Sequence, residues 1–213
     1  MERRREESLS SLRVFLPGVG SDDEAQVKRS TRGMALRLYE LILVSYSAGD
    51  SVEDLRRIAA EAIRWNCAPV YGLESVNQYQ DFARLAALAR LLHLEDELAL
   101  LREVLERIPP GERDVIIESL VLGESRTATN DYRFGSTQLQ EVLAAKDSGI
   151  ASLRLKDFVQ NQWYPAHTGN WWHDTHTEDY YNGYWCFEGA GVAKIMGLET
   201  SDWNIDYWPA DLL

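Results

Sequence analysis

An all-α fold, a helical bundle of about eight helices in two packed lobes, is predicted by three features of this 213-residue sequence. Apolar residues recur at the three-to-four spacing of amphipathic helices in segment after segment. Capping boxes and Gly or Pro stops punctuate those segments at helical lengths. No stretch shows the sustained apolar–polar alternation of a half-buried strand. The hydrophobic share, 45%, and the charged share, 26%, are those of an ordinary folded domain.

Residues 1–20 are predicted to be a flexible arm. The N-terminal lobe, residues 21–123, opens where Ser21 and Glu24 stand at capping-box spacing. The helix that follows carries Met34, Leu38, Leu41, Ile42 and Ser45 on one stripe and stops before Gly49. Ser51 and Asp54 cap a second helix with Val52, Leu55, Ile58, Ala59, Ala62 and Ile63 on its apolar face. The link Ala48-Gly49-Asp50 allows only a turn, so these two helices form an αα-hairpin. Ser75 to Leu92 reads as a third, central helix and Glu95 to Ile108 as a fourth, ended by Pro109-Pro110-Gly111. A short fifth helix spans about Glu112 to Leu122, and the polar, turn-rich stretch from Gly123 to Gly135 divides the lobes.

The C-terminal lobe, residues 136–213, begins with a helix after Ser136. Leu153, Leu155, Phe158, Val159, Trp163 and Tyr164 predict a further helix that stops at Pro165. His167 to Thr177 is a loop with an unusual aromatic load, Trp171 and Trp172 included. Thr177 is then placed to cap a last helix that runs to Met196 and ends at Gly197, with Glu178 and Asp179 at its positive end. Tyr180, Tyr181, Tyr184, Trp185, Phe187 and Val192 leave that helix little polar face, which makes it a core helix. The tail from Trp203 to Pro209 is expected to fold back over it.

Charge narrows the function. The chain carries 34 acidic against 22 basic residues, a net charge of -12. After Asp157 the only Lys or Arg is Lys194. Such a surface repels phosphates, so nucleic acid is not an expected partner, whereas a basic protein would be steered toward it. Cys67 and Cys186 form no CxxC and read as small core residues of a reducing compartment. The charged opening Met1 to Glu7 and the broken apolar stretch after it do not resemble an export signal, and no run approaches a bilayer span. A cytoplasmic location is expected.

Catalytic patterns are sparse. His167, His173 and His176, with Asp174, Glu178 and Asp179, contain residue types that bind zinc, but at no helical HExxH spacing. A metal-dependent hydrolase using these histidines with Glu188 is therefore the alternative reading, and an acidic helical adaptor a further one. Glu188 falls in an apolar run where a charge needs a partner. A buried Trp N–H, a Tyr hydroxyl or a base such as Lys156 would supply it, and no second carboxylate stands in register for acid–base work. There is no GxSxG elbow and no glycine-rich phosphate loop. Gly189 and Gly191 read as places where helices approach closely. No cofactor is expected, and no catalysis.

The run Tyr180-Tyr181-Asn182-Gly183-Tyr184-Trp185-Cys186-Phe187-Glu188-Gly189-Ala190-Gly191, with a closing Tyr207-Trp208-Pro209-Ala210-Asp211-Leu212, resembles the C-terminal signature of the PoNi family. These are immunity proteins for polymorphic nuclease (PoNe) toxins delivered by contact-dependent secretion, type VI included. Leu43 to Leu55 and Ala87 to Leu94 are similar to that family's N-terminal module. The resemblance implies a cytoplasmic inhibitor that binds a cognate, basic DNase and covers its DNA-binding or active site with carboxylates. Under that reading Tyr181, Tyr184, Trp185, Phe187 and Glu188 build the lobe. Exposed acids, Asp174, Glu178, Asp179, Asp202 and Asp206, would meet the toxin, and the Trp171-Trp172-His173 loop would be partner-specific.

Overall fold

Helix α1 (Glu24–Ala48) opens on the Asp23 carboxylate, which accepts the N–H groups of Ala25 (2.9 Å) and Gln26 (3.3 Å). The cap is thus Asp23, a charged acceptor facing the positive end of the helix dipole, and the Ser21 of the expected Ser21–Glu24 box lies outside the described residues. The computed structural model describes residues 6, 22–67, 76–126, 137–168, 173–177 and 182–213, so Ser21 and most of the 1–20 arm lie outside it. The helix closes at Gly49, whose φ of 76° is left-handed. Ser51 then accepts the Asp54 N–H at 3.1 Å and donates its hydroxyl to the Asp54 carboxylate at 2.6 Å, starting α2 (Val52–Asn66), which folds back on α1 as expected.

Helix α3 (Val76–Leu91) is the axle of the fold. Residues 82–89 are all buried, and α2, α4 (Glu95–Glu106) and α5 (Val115–Leu122) all pack on it. The fifth helix starts later than expected, because Asp114 takes the cap position and accepts the N–H groups of Ile116 and Ile117. The stretch before it is a 3-10 turn, Pro110–Glu112. At the other end of α5 the Arg90 guanidinium, reaching over from α3, donates to the carbonyls of Leu120 (2.7 Å) and Val121 (2.6 Å), groups the helix leaves without internal partners.

After α6 (Thr137–Leu143), Asp147 caps α7 (Ser148–Asp157) through the Ile150 N–H. Leu153, counted from sequence in the buried stripe, is 71% exposed: it sits on the outer face, opposite Ala151 and Leu155. The chain continues as a π-helical turn, Phe158–Gln162, in which Trp163 donates its N–H to the Phe158 carbonyl at 2.7 Å. One extra residue in a turn re-aims every later side chain, and here Trp163 is brought into the core.

The last helix is shorter than predicted. Helix α8 (Phe187–Met196) ends at Gly197 as expected, but Thr177 belongs to a separate 3-10 turn and residues 182–186 are not helical. Bonds to distant partners replace the helical ladder there. Ser47 of α1 donates its hydroxyl to the Asn182 carbonyl (2.9 Å) and accepts the Trp185 indole N–H (2.8 Å), and Cys186 donates its N–H to the Tyr207 carbonyl (2.9 Å). Gly183 makes this approach possible: its φ is 100°, and a Cβ there would stand 2.0 Å from Ser47 Oγ. Tyr180, Tyr181, Glu178 and Asp179 lie outside the described residues.

Helix α8 lies against α3 and is buried from Phe187 to Ala193. A Cβ at Gly191 would come within 3.0 Å of Ala87 Cα, so the glycine sets how near the two helices run. The tail returns over this pair, burying Trp203 and Trp208, and one continuous core runs from Leu38 to Leu212. The described residues form eight α-helices and no strand, an all-α bundle. None of these helices is long and apolar enough to cross a membrane.

Candidate functional site

Three exposed carboxylates singled out from sequence fall in two places. Asp174 sits in a turn at φ 61°, a left-handed conformation that Asp tolerates better than most residues. Its carboxylate accepts the Tyr164 hydroxyl at 2.8 Å and lies 3.0 Å from His173 Nδ1, while its own N–H donates back to the Tyr164 oxygen at 3.0 Å. The Tyr164 hydrogen bond, with the two nearby imidazoles, holds the Asp174 carboxyl below its usual range, so it is ionised at any neutral pH.

Rings assemble around that clamp. Tyr164 stacks on His173 (4.1 Å between centroids) and on Tyr207 (5.3 Å, planes 8° apart), and Tyr184 leans against it at 5.0 Å. Tyr184 receives the His176 N–H on its hydroxyl at 3.0 Å. Tyr164 and Tyr207 are only half-buried, and Asp206, the neighbour of Tyr207, is exposed. Burial and the Asp206 charge push the Tyr207 phenol upward, so it remains a neutral donor. The outcome is a pre-stiffened face of tyrosine edges with Asp174 and Asp206 beside them. Rigid aromatic side chains with polar tips, bordered by charge, are what protein interfaces use as anchors.

Asp202 is elsewhere. It stands on the turn closed by the Trp203 N–H on the Thr200 carbonyl, next to the Trp203–Trp208 pair and to Lys156, whose ammonium lies 5.8 Å from the Trp203 ring. Glu178, Asp179, Trp171 and Trp172 lie outside the described residues. Reading the sequence passed over Tyr164 as an ordinary core residue. The signal was available: it is the last residue before Pro165, where a helix must end and a side chain can turn toward solvent.

Of the motif residues, Tyr181 lies outside the described residues, Tyr184 belongs to this ring group, and Trp185, Phe187 and Glu188 pack against other parts of the fold. Glu188, in the first turn of α8, accepts the Trp163 indole N–H on Oε1 at 2.7 Å, and its Oε2 lies 3.9 Å from Arg84 Nε. Lys156, considered from sequence, is engaged over Trp203 instead. Arg84 is 4% exposed and also lies 5.8 Å from the Tyr39 ring. Burial works against its charge, but Tyr39, Glu188 and Asp81 together raise its pKa further above the ordinary value. Sequence reading did not single out Arg84, although a lone charge inside the apolar run from Phe82 to Ala89 announces a buried partner. Phe187 is fully buried, Tyr184 packs in the ring group, and the Trp185 ring meets Tyr46 edge-on at 4.7 Å.

The histidines of the hydrolase reading are not gathered around one point. His167 is buried, with Nδ1 2.6 Å from the Trp163 carbonyl and its pKa lowered by burial; His173 is taken up by Asp174 and Tyr164, and His176 by Tyr184. Among the described residues no three His, Cys, Asp or Glu side chains stand where they could hold a metal ion.

Residues 113–212 match the family model described as PoNe immunity proteins (PoNi), C-terminal. No curated protein and no solved structure matches the chain.

Proposed function

We propose, from the match of residues 113–212 to the PoNe immunity proteins, that this protein binds and neutralises its cognate nuclease toxin in the cytoplasm. It acts by occupancy, not by turnover, and needs no cofactor. The observation that carries the reading is the ring face bearing Asp174 and Asp206. A DNA-cutting enzyme must present a basic groove to phosphates. Besides the buried Glu188, residues 158–213 carry Asp174, Glu178, Asp179, Glu199, Asp202, Asp206 and Asp211 against Lys194 alone. Opposite charge accelerates encounter, while the tyrosines give the docked complex its residence time. Glu178 and Asp179, a few residues along the chain from Asp174, extend the same acidic contact in this proposal, and Asp202 serves as a separate, peripheral one.

The test is co-expression with the nuclease encoded beside this gene, followed by sizing chromatography of the pair. We expect survival and a stable complex whose association rate falls steeply as salt is raised. The double substitution Asp174→Asn, Asp206→Asn should weaken binding about tenfold, chiefly through slower association. Continued lethality in cells making the wild-type chain, with no complex on the column, refutes the proposal.

A further inference from the structure

Helix α7 turns one face away from the core. Ala151 and Leu155 are buried, whereas Ile150 and Leu153, one turn apart, are 50% and 71% exposed. At helical pitch Arg154 and Asp157 share that outer face, and Lys146 and Asp147 stand one turn ahead of Ile150. All four are exposed as well. The other large exposed hydrophobics among the described residues, Leu36, Val52 and Leu213, lie on α1, on α2 and in the tail. A single apolar residue in water is ordinary. A neighbouring pair rimmed by charge is the composition of a contact surface.

The order of the charges identifies what covers this face. From Lys146 to Asp157 it runs basic, acidic, apolar, apolar, basic, acidic. Reversing the chain direction sets every charge opposite its complement. When two α7 helices pack antiparallel about a twofold axis level with Ala151 and Ser152, Ile150 meets Leu153 of the second copy. In the same register Lys146 meets Asp157 of the second copy and Asp147 meets its Arg154. Twofold symmetry makes each of these contacts twice. The local charge also separates a second copy from the nuclease. Lys146, Arg154 and Lys156 against Asp147 and Asp157 make this stretch cationic within a chain of net charge -12. A basic protein is not drawn to it, and another acidic copy is. Bonds within the chain hold the rim in place: the Asp147 carboxylate accepts the Ile150 N–H at 2.9 Å, and Arg154 donates through Nη1 to the Glu141 carbonyl at 3.1 Å.

We propose that the outer face of α7 is a self-association surface, on which two copies of this chain form a twofold dimer with their α7 helices antiparallel. The inference is independent of the immunity reading. The contact is one helix wide, smaller than the interface of a permanent dimer, so association is reversible.

Sedimentation equilibrium of the full chain over about 1 to 500 µM is the test. We expect a monomer–dimer equilibrium with a dissociation constant of about 10–100 µM. Leu153→Asp puts an acid in the middle of the contact, on a side chain the fold leaves exposed, and should give a monomer with an unchanged melting curve. Lys146→Asp sets an acid against Asp157 of the second copy and should weaken the dimer about tenfold. Adding Asp157→Lys exchanges the two charges and should recover most of that loss, which a role within one chain would not do. Asp157 also accepts the Asn161 amide at 2.9 Å, so if the double variant fails to fold, Leu153→Asp carries the test. A wild-type chain that stays monomeric throughout overturns the proposal, as does a dimer that survives Leu153→Asp. A folded double variant that recovers nothing overturns the antiparallel pairing. If wild type is monomeric and Leu153→Asp instead weakens nuclease binding, the face belongs to the toxin and the proposal falls.

Discussion

The helices of residues 24–122 and the segment of residues 158–212 are held in place by different means. In the first region most helix ends close locally: Asp23 and Ser51 cap their own first turns, Asp114 does the same for α5, and Gly49 turns the chain at once, while Arg90 of α3 closes the far end of α5. In the second the bonds run over long sequence separations, from Tyr46 to Asp211, Ser47 to Asn182, Trp163 to Glu188 and Cys186 to Tyr207. Local closure yields ends that absorb single changes. Long-range closure yields a junction where one change unseats several neighbours, and it also stiffens the face assigned to the toxin.

The contrast can be broken most directly at Glu188. Glu188→Ala removes the acceptor of the buried Trp163 N–H and the counter-charge 3.9 Å from Arg84, and we expect a loss of about 3–5 kcal/mol in urea unfolding. A loss of less than about 1 kcal/mol would mean that the junction does not hold the region together. Next are two left-handed glycines, one in each region. Gly183→Ala combines an unfavourable φ with a clash against Ser47 and should cost roughly 2–3 kcal/mol; Gly49→Ala, with nothing within 4 Å, should cost about 1 kcal/mol. Equal costs at the two sites would erase the distinction.

Asp81, beside Arg84, gives a pH-dependent version of the same comparison. Burial raises its carboxyl to about 6 from an ordinary 3.8, against the opposing pull of Arg84 and Arg32. Between those values the folded chain holds the proton and the unfolded chain has released it. Stability from this group is therefore fully present below that window and falls as pH rises through it, by about 3 kcal/mol. His167 works in the other sense: its lowered pKa makes the fold lose stability as pH falls through the ordinary imidazole range. Melting wild type beside Asp81→Asn from pH 4 to 7 cancels the histidine contribution. A difference between the two that does not change with pH would contradict the assignment. The smallest effect is expected at a local cap, where Ser51→Ala should cost about 1 kcal/mol and leave toxin binding unchanged.

The same division explains what could be read in advance. A helix with its own cap, such as α2, or with a one-sided apolar stripe, such as α4, carries its instructions within a few residues: α2 starts directly after Ser51, and α4 starts at Glu95 and ends two residues before the expected Ile108. Helix α8 starts nine residues later than the sequence predicts, its cap at Cys186 and not at Thr177, since Tyr184 and Trp185 satisfy a helical pattern equally well whether they are helical or not. What decides between the two is Ser47, far away in α1, together with the close approach that Gly183 permits. Likewise Asp174 was legible as an exposed acid, but the ring stack that presents it depends on Tyr164 and Tyr207, which only the folded chain brings together.

The π-helical turn at Phe158–Gln162 fixes a phase. A residue added to or removed from an α-helix rotates everything beyond it by about 100°, so the surplus residue in this turn works as an angular offset that points the Trp163 indole at an acid on another helix. Excising Gln160 would rewind the turn to ordinary α geometry and swing the indole out of reach, stranding the acid without any change to the acid itself. Related chains that are one residue shorter at this point would then need a different donor for it, and an insertion or deletion here would be felt at the first turn of α8.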